Sequence, residues 1–157
     1  MKQPLTIGFI GLGLIGGSIA KAIRYYYPDT RIIAHTRSQA TIDYALNEQI
    51  IDIACDQVDA RFSECDYIFL CAPVEANASY LEILKPLIKP GCILTDVGST
   101  KTDIHTHVAD LGLEGQFIGG HPMAGSEKTG IANAKRHLLE NAYYIVTPTS
   151  KVPKESV

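Results

Sequence analysis

The sequence predicts an α/β chain built on a doubly wound, mostly parallel sheet with helices on both faces. Three observations carry this. Short apolar runs alternate with amphipathic segments along the chain. A cluster of glycines falls where the first apolar run meets the first amphipathic segment. The 157 residues, 46% hydrophobic and 20% charged, hold enough apolar material for one buried core.

The elements follow in order. Residues 5–10 (LTIGFI) form a short apolar run ending in glycines, the pattern of a buried parallel strand. Residues 14–27 read as a helix with Ile15, Ile19, Ala22 and Ile23 on one face, stopped by Pro28 and Asp29. Residues 31–35 make the second strand. Ser38 is a candidate N-cap for a helix running to residue 47. Residues 51–54 read as a short third strand, and residues 66–71 (DYIFLC) as a fourth, closed by Ala72 and Pro73. A helix over 75–87, a fifth strand over 92–96, a helix over 101–111, a sixth strand over 116–119 and a seventh over 142–146 complete the alternation. A glycine-rich loop running into a short helix separates the last two strands. Residues 1–147 are expected to form one domain. Residues 148–157, with Pro148, Pro153, Lys151 and Lys154 among Ser and Thr, read as a linker towards a further domain.

The net charge is −3 with histidines neutral, and no basic stripe is present, which argues against a nucleic-acid partner. No apolar stretch has the length of a membrane span, and Met1-Lys2-Gln3-Pro4 does not open a signal peptide. The cysteines, Cys55, Cys65, Cys71 and Cys92, form no C-x-x-C pair and have no histidines at zinc-ligand spacing. They read as reduced core thiols, with no metal site, in a cytoplasmic protein.

Gly11-Leu12-Gly13-Leu14-Ile15-Gly16 matches G-x-G-x-x-G between a strand and a helix, the context that the motif requires. Gly11 permits the tight turn, Gly13 lets a pyrophosphate approach the backbone, and Gly16 lets helix and strand pack closely. The helix N-terminus, opening at Leu14 and Ile15, offers free N–H groups and a partial positive charge to phosphates. A dinucleotide, and with it a Rossmann-type sheet, is the expectation. Its identity rests on the end of the second strand, where NAD enzymes place a carboxylate for the ribose. Here the chain reads His35-Thr36-Arg37-Ser38, without one. Arg37 is suited to pair with a 2′-phosphate, and Thr36 and Ser38 to hydrogen-bond it, so NADP is accepted alongside NAD or in preference to it.

Ligands of such sheets lie beyond the carboxyl ends of the strands. Cys71, Ala72 and Pro73 follow the fourth strand there, small enough to let a cofactor pass. Ser99 follows the fifth, either as a helix N-cap or with its hydroxyl turned to substrate. The sixth strand leads into Gly119-Gly120-His121-Pro122-Met123-Ala124-Gly125-Ser126-Glu127-Lys128-Thr129-Gly130. His121 sits where a sheet-end catalytic group belongs. An imidazole, with a pKa of about 6.5, suits proton abstraction from a hydroxyl whose carbon loses hydride. His105, His107 and His137 are expected on helices at the surface.

The segments GLGLIGGSIA (11–20), DVGSTK (96–101) and GGHPMAGSEKTG (119–130) resemble the signatures of the prephenate and arogenate dehydrogenases, over essentially the whole chain. The resemblance implies an NAD(P)-dependent oxidative decarboxylation of prephenate to 4-hydroxyphenylpyruvate, or of arogenate to tyrosine. It implies that His121 takes the proton of the substrate hydroxyl, that Ser99 helps hold it, and that Ser126 and Glu127 line the substrate pocket. Family members continue into a helical domain that forms a homodimer and supplies cations for the substrate carboxylates. That domain is not in these residues, and Lys128 is the one basic residue of the matched loop, so poor turnover by this chain alone is expected. Two other readings share the glycine loop. A β-hydroxyacid dehydrogenase or imine reductase would not be expected to carry a histidine at 121. A nucleotide-sensing module would bind cofactor without depending on it.

Overall fold

The computed structural model describes residues 4–157, so the reading of the first three residues lies outside it. Eleven regular elements follow one another. They are β1 (Thr6–Ile10), α1 (Leu14–Tyr26), β2 (Arg31–His35), α2 (Gln39–Asn47), β3 (Ile53–Cys55), β4 (Tyr67–Leu70), α3 (Val74–Leu84), β5 (Ile93–Asp96), α4 (Thr102–Asp110), β6 (Phe117–Pro122) and β7 (Tyr144–Pro148). The strands form one sheet in the order β3-β2-β1-β4-β5-β6-β7. All neighbours are parallel except β6 and β7. This is the expected Rossmann-type sheet. Its order turns back on itself between β1 and β4, and that switch point is where such sheets open a crevice.

Strand period and burial on both faces explain why the apolar runs became strands. In β1 and β2, Phe9, Ile32 and Ala34 point to one face, and Ile10 and Ile33 to the other. The first face packs under α1 and α2, and Phe9 stacks on Phe69 at 5.1 Å between ring centroids. The second packs under α3 and α4, with Ile68, Leu70, Leu94 and Phe117 fully buried. Burying each such side chain contributes about 1.5–3 kcal/mol. Cys55, Cys65 and Cys92 lie buried, and none of the cysteines is paired. Burial pushes the Cys65 and Cys92 thiols up to about 12.

Several boundaries differ from the sequence expectation. β3 starts at Ile53 because Ile50 and Ile51 are used as buried apolar contacts after α2, in a turn where Gln49 has φ 54. α3 ends at Leu84: Lys85 keeps helical backbone as the C-cap, but Pro86 has no N–H to continue the ladder. β7 begins at Tyr144, after a turn with Asn141 at φ 61. His105 is not a surface residue: its ring packs edge-on to Phe117 and its Nε2 lies 3.3 Å from Thr147 Oγ1. His137 lies in a turn, not a helix. Ser38 caps α2 as expected, its Oγ accepting from the Thr41 N–H at 3.3 Å. Past β7, Thr149 hydrogen-bonds the Glu114 carbonyl, Lys151 pairs with Glu114 at 2.6 Å, and Val152 is buried with Ile93 and Ile118.

One buried ion pair sets the carboxyl ends of β5 and β6. The Asp96 side chain is 1% exposed and meets Lys101 Nζ at 2.5 Å, with the Lys101 side chain 19% exposed. Asp96 Oδ2 also accepts from the Gly98 N–H at 3.0 Å, and Oδ1 from the Gly120 N–H at 3.2 Å. Lys101 donates in turn to the Gly98 carbonyl at 2.7 Å. Lys101→Met leaves a buried carboxylate without its cation, and we expect a loss of about 3 kcal/mol or more of unfolding free energy. Chemical denaturation followed by circular dichroism measures it, and a loss below about 1 kcal/mol would show that the two N–H donors suffice for Asp96.

Candidate active site

The glycine loop is built by backbone contacts that leave no room for side chains. Gly11 has φ 91, and its N–H donates to the His35 carbonyl at 2.8 Å, tying the loop to β2. A Cβ on Gly11 would lie 2.8 Å from the Ala72 nitrogen, and one on Gly16 would lie 2.9 Å from the Cys71 Cβ. The loop and the first turn of α1 are therefore pressed onto the end of β4. Gly13, the N-cap residue of α1, is the opposite case, since a Cβ there would meet nothing within 4 Å. That open space lies over a helix start with no acidic residue in its first turn. Its free N–H groups suit an anion.

A cleft of ≈ 270 Å³ opens at this point. Gly11 and Gly13 line it from the loop, Thr36, Arg37 and Ser38 from the end of β2, and Cys71, Ala72 and Pro73 from the end of β4. Leu14, Ile15 and Gly16 stand behind the loop in the first turn of α1 and do not line the cleft. The cleft also takes Leu12, Thr41, Tyr80 and Gly130, which the sequence reading did not single out. Burial pushes the Cys71 thiol far above its usual range, so this wall of the cleft carries no thiolate at neutral pH.

His35 and Tyr80 close the β2 side of the cleft. His35 Nδ1 lies 3.0 Å from the Cys55 carbonyl, and Nε2 lies 3.3 Å from the Tyr80 hydroxyl. A carbonyl only accepts, so the neutral ring carries its proton on Nδ1 and takes the Tyr80 hydrogen bond on Nε2. Arg37 is exposed and has no carboxylate within 4 Å among the described residues. It also lines an adjoining groove, where Asp56 is the one acidic residue.

Further along the carboxyl edge, Ser99 and His121 occupy the ends of β5 and β6. Ser99 is exposed and does not cap α4, whose N-cap residue is Lys101. The capping alternative for Ser99 is thus removed. His121 is half-buried in β6, opposite Ile145 of β7. Its Nδ1 is buried with no hydrogen-bond partner among the described residues. Leaving such a group unpaired costs about 1–3 kcal/mol, so the position favours a bound partner. A Cβ on the preceding Gly120 would lie 2.7 Å from the Tyr144 hydroxyl and 2.6 Å from the Asp96 carbonyl. Burial, with Cys71 and Asp96 nearby, pushes the Tyr144 phenol up to about 12, so it stays protonated. An edge-strand tyrosine gives no sequence signal of this placement. Ser126 and Glu127 lie exposed in the loop after β6, where Ser126 Oγ accepts from the Lys128 N–H at 3.1 Å. Of that loop, Gly130 alone lines the cleft.

Among the described residues no group of three or more His, Cys, Asp or Glu side chains is arranged to hold a metal ion, and no helix is long and apolar enough to cross a membrane. Residues 19–157 match the family model for the prephenate dehydrogenase nucleotide-binding domain. Prephenate dehydrogenase of Bacillus subtilis (strain 168) is 44% identical over 155 residues, which are 97% of this chain and 42% of that protein. The chain thus spans less than half the length of this relative. The crystal structure of Synechocystis arogenate dehydrogenase superposes with a TM-score of 0.88 at 38% identity, covering 97% of this chain and 53% of that one. Prephenate dehydrogenase from A. aeolicus, in complex with hydroxyphenyl propionate and NAD+, gives a TM-score of 0.88 at 29% identity, covering 96% and 53%. With the glycine-loop cleft and the sheet order, these matches place the chain in the prephenate dehydrogenase family, as its nucleotide-binding domain.

Proposed function

We propose that the chain supplies the cofactor half of a dehydrogenase that converts prephenate to 4-hydroxyphenylpyruvate. One combination carries the reading: a glycine-loop cleft at the switch point of the sheet, and a histidine with a free buried nitrogen two strands away, in a family named for this reaction. When bound, NAD(P) accepts the hydride. The residues around it do the rest. The α1 N-terminus at Gly13 and the backbone of Gly11 hold the pyrophosphate, and Thr36, Arg37 and Ser38 the adenosine ribose. Cys71, Ala72 and Pro73 let the dinucleotide pass towards β5. His121 takes the proton of the substrate hydroxyl as hydride leaves the same carbon, and Ser99 steadies that hydroxyl. Loss of the ring carboxylate as carbon dioxide leaves its electron pair to complete the aromatic ring, whose oxygen regains a proton. Ser126 and Glu127 face the substrate from the loop, and cations from outside this chain bind the carboxylates. A homodimer in the cytoplasm is the expected setting.

Arogenate is the second reading, favoured by the 38% identity to Synechocystis arogenate dehydrogenase. The cofactor reading likewise extends to NADP. Arg37 has no competing partner within 4 Å among the described residues, and Ser38 can donate its hydroxyl to a phosphate while its oxygen caps α2.

Arg37→Ala is expected to weaken NADP binding by about tenfold to a hundredfold, the worth of a charge-assisted hydrogen bond, and to leave NAD unchanged. Fluorescence titration of the chain with both dinucleotides measures this, and an equal loss for both would remove the 2′-phosphate reading. In a form that includes the other half of the relatives' length, His121→Asn is expected to lower kcat at least about a hundredfold without weakening cofactor binding. Unchanged turnover would remove His121 as the proton acceptor, and a parent protein that binds NAD(P) but turns over neither prephenate nor arogenate would favour a sensor over an enzyme.

A further inference from the structure

A second and larger cavity, ≈ 610 Å³, lies against the C-terminal half of α1 and shares no lining residue with the dinucleotide cleft. Gly13 and Arg24 are separated by about 16 Å along the helix axis. The walls are α1, the turn after α2, and residues 134–137, which return from the His121 loop. Its floor is apolar, with Ile50 3% and Ala134 5% exposed.

The walls are cationic in a chain whose net charge is −3. Lys21, Arg24, Lys135, Arg136 and His137 line the cavity, against one carboxylate, Glu48. Arg24 is already matched, since it meets Asp52 at 2.6 Å. Lys135 and Arg136 have no carboxylate within 4 Å among the described residues. Allowing for Glu48 and Asp52, two permanent positive charges are left over.

Lys21, Arg24 and Arg136 have contacts that place their charges, while Lys135 is held through its backbone. Arg24 donates to the carbonyls of Pro28 and Thr30 at 3.0 Å each, and its buried Nε has no partner among the described residues. Lys21 Nζ reaches the Ala134 carbonyl at 2.8 Å, and the Lys135 N–H donates to Ser18 Oγ at 3.0 Å. Arg136 lies 3.8 Å over the ring of Tyr25. An open groove in which Lys21, Arg24 and Arg136 are placed by such contacts has already met part of the ordering cost of binding an anion.

We propose that this cavity binds a small dianion, a phosphate ester or a dicarboxylate, between Lys21 on one wall and Lys135 and Arg136 on the other. The occupant would fasten residues 134–137 to α1. That segment anchors the loop that carries Ser126 and Glu127, and α1 carries the phosphate-facing helix start, so occupancy links a remote anion to the active-site loop.

The test uses the chain with its glycine cleft saturated by NAD, titrated by amide NMR with inorganic pyrophosphate and, separately, malonate. We expect shifts at Tyr25, Lys135 and Arg136 that saturate below about 10 mM, and at least a tenfold weakening in the Lys135→Ala/Arg136→Ala variant, whose NAD affinity stays the same. Pyrophosphate alone would make it a phosphate site and malonate alone a carboxylate site. The proposal is overturned if neither anion shifts these residues, if the double variant binds as well as the parent, or if sodium chloride of matched ionic strength gives the same shifts.

Discussion

The arrangement of the carboxyl edge depends on a single carboxylate. The β5–β6 ladder pairs Leu94 with Phe117 and Thr95 with Ile118, and stops there. Beyond it, Asp96 holds the two strand ends together by accepting from the Gly120 N–H and, on its other oxygen, from Gly98 and Lys101. Ser99 and His121 each lie within three residues of these contacts. Their backbone is therefore fixed by a charge network in a low-dielectric setting, where each hydrogen bond is stronger than in water and each unmade one more costly. Gly120 makes the approach possible, because any side chain there would collide with the Asp96 carbonyl and the Tyr144 hydroxyl.

On the other side of the switch point, steric economy replaces charge. Gly11 and Gly16 bring α1 against the end of β4, so the helix start is close to the crevice between β1 and β4. The return from the His121 loop then packs along the same helix, with Ile131 and Ala134 over Gly17. The two halves of the site are thus not independent loops on a scaffold. The loop after β6 is braced by the helix that follows the glycine loop.

Much of this was legible in the sequence, for reasons that can be named. β1 and β2 are buried on both faces, and β4 fully on one with Phe69 half-buried on the other, so period and composition point to the same state, and the motif between β1 and α1 has few alternatives. The boundaries that moved were decided by turns: Gln49 and Asn141 in left-handed backbone, and Pro86 after α3. In the site, the residues at the ends of β1, β2 and β4 converge as their place in an α/β sheet requires. Tyr80 and Gly130 were missed because each enters the cleft from a segment distant in sequence, through packing that no local pattern encodes. The Asp96–Lys101 pair falls inside a recognised segment, yet its burial became visible only once β6 was laid beside β5.

β7 has a further consequence. Among the described residues it is the one antiparallel strand, it ends the sheet, and Tyr144, Ile145 and Val146 stand 38%, 48% and 47% exposed along it. An apolar strand whose outer backbone groups face solvent is a ready template for another strand. At high concentration with that edge uncovered, β7 offers a second copy a place to extend the sheet, remote from the dinucleotide cleft.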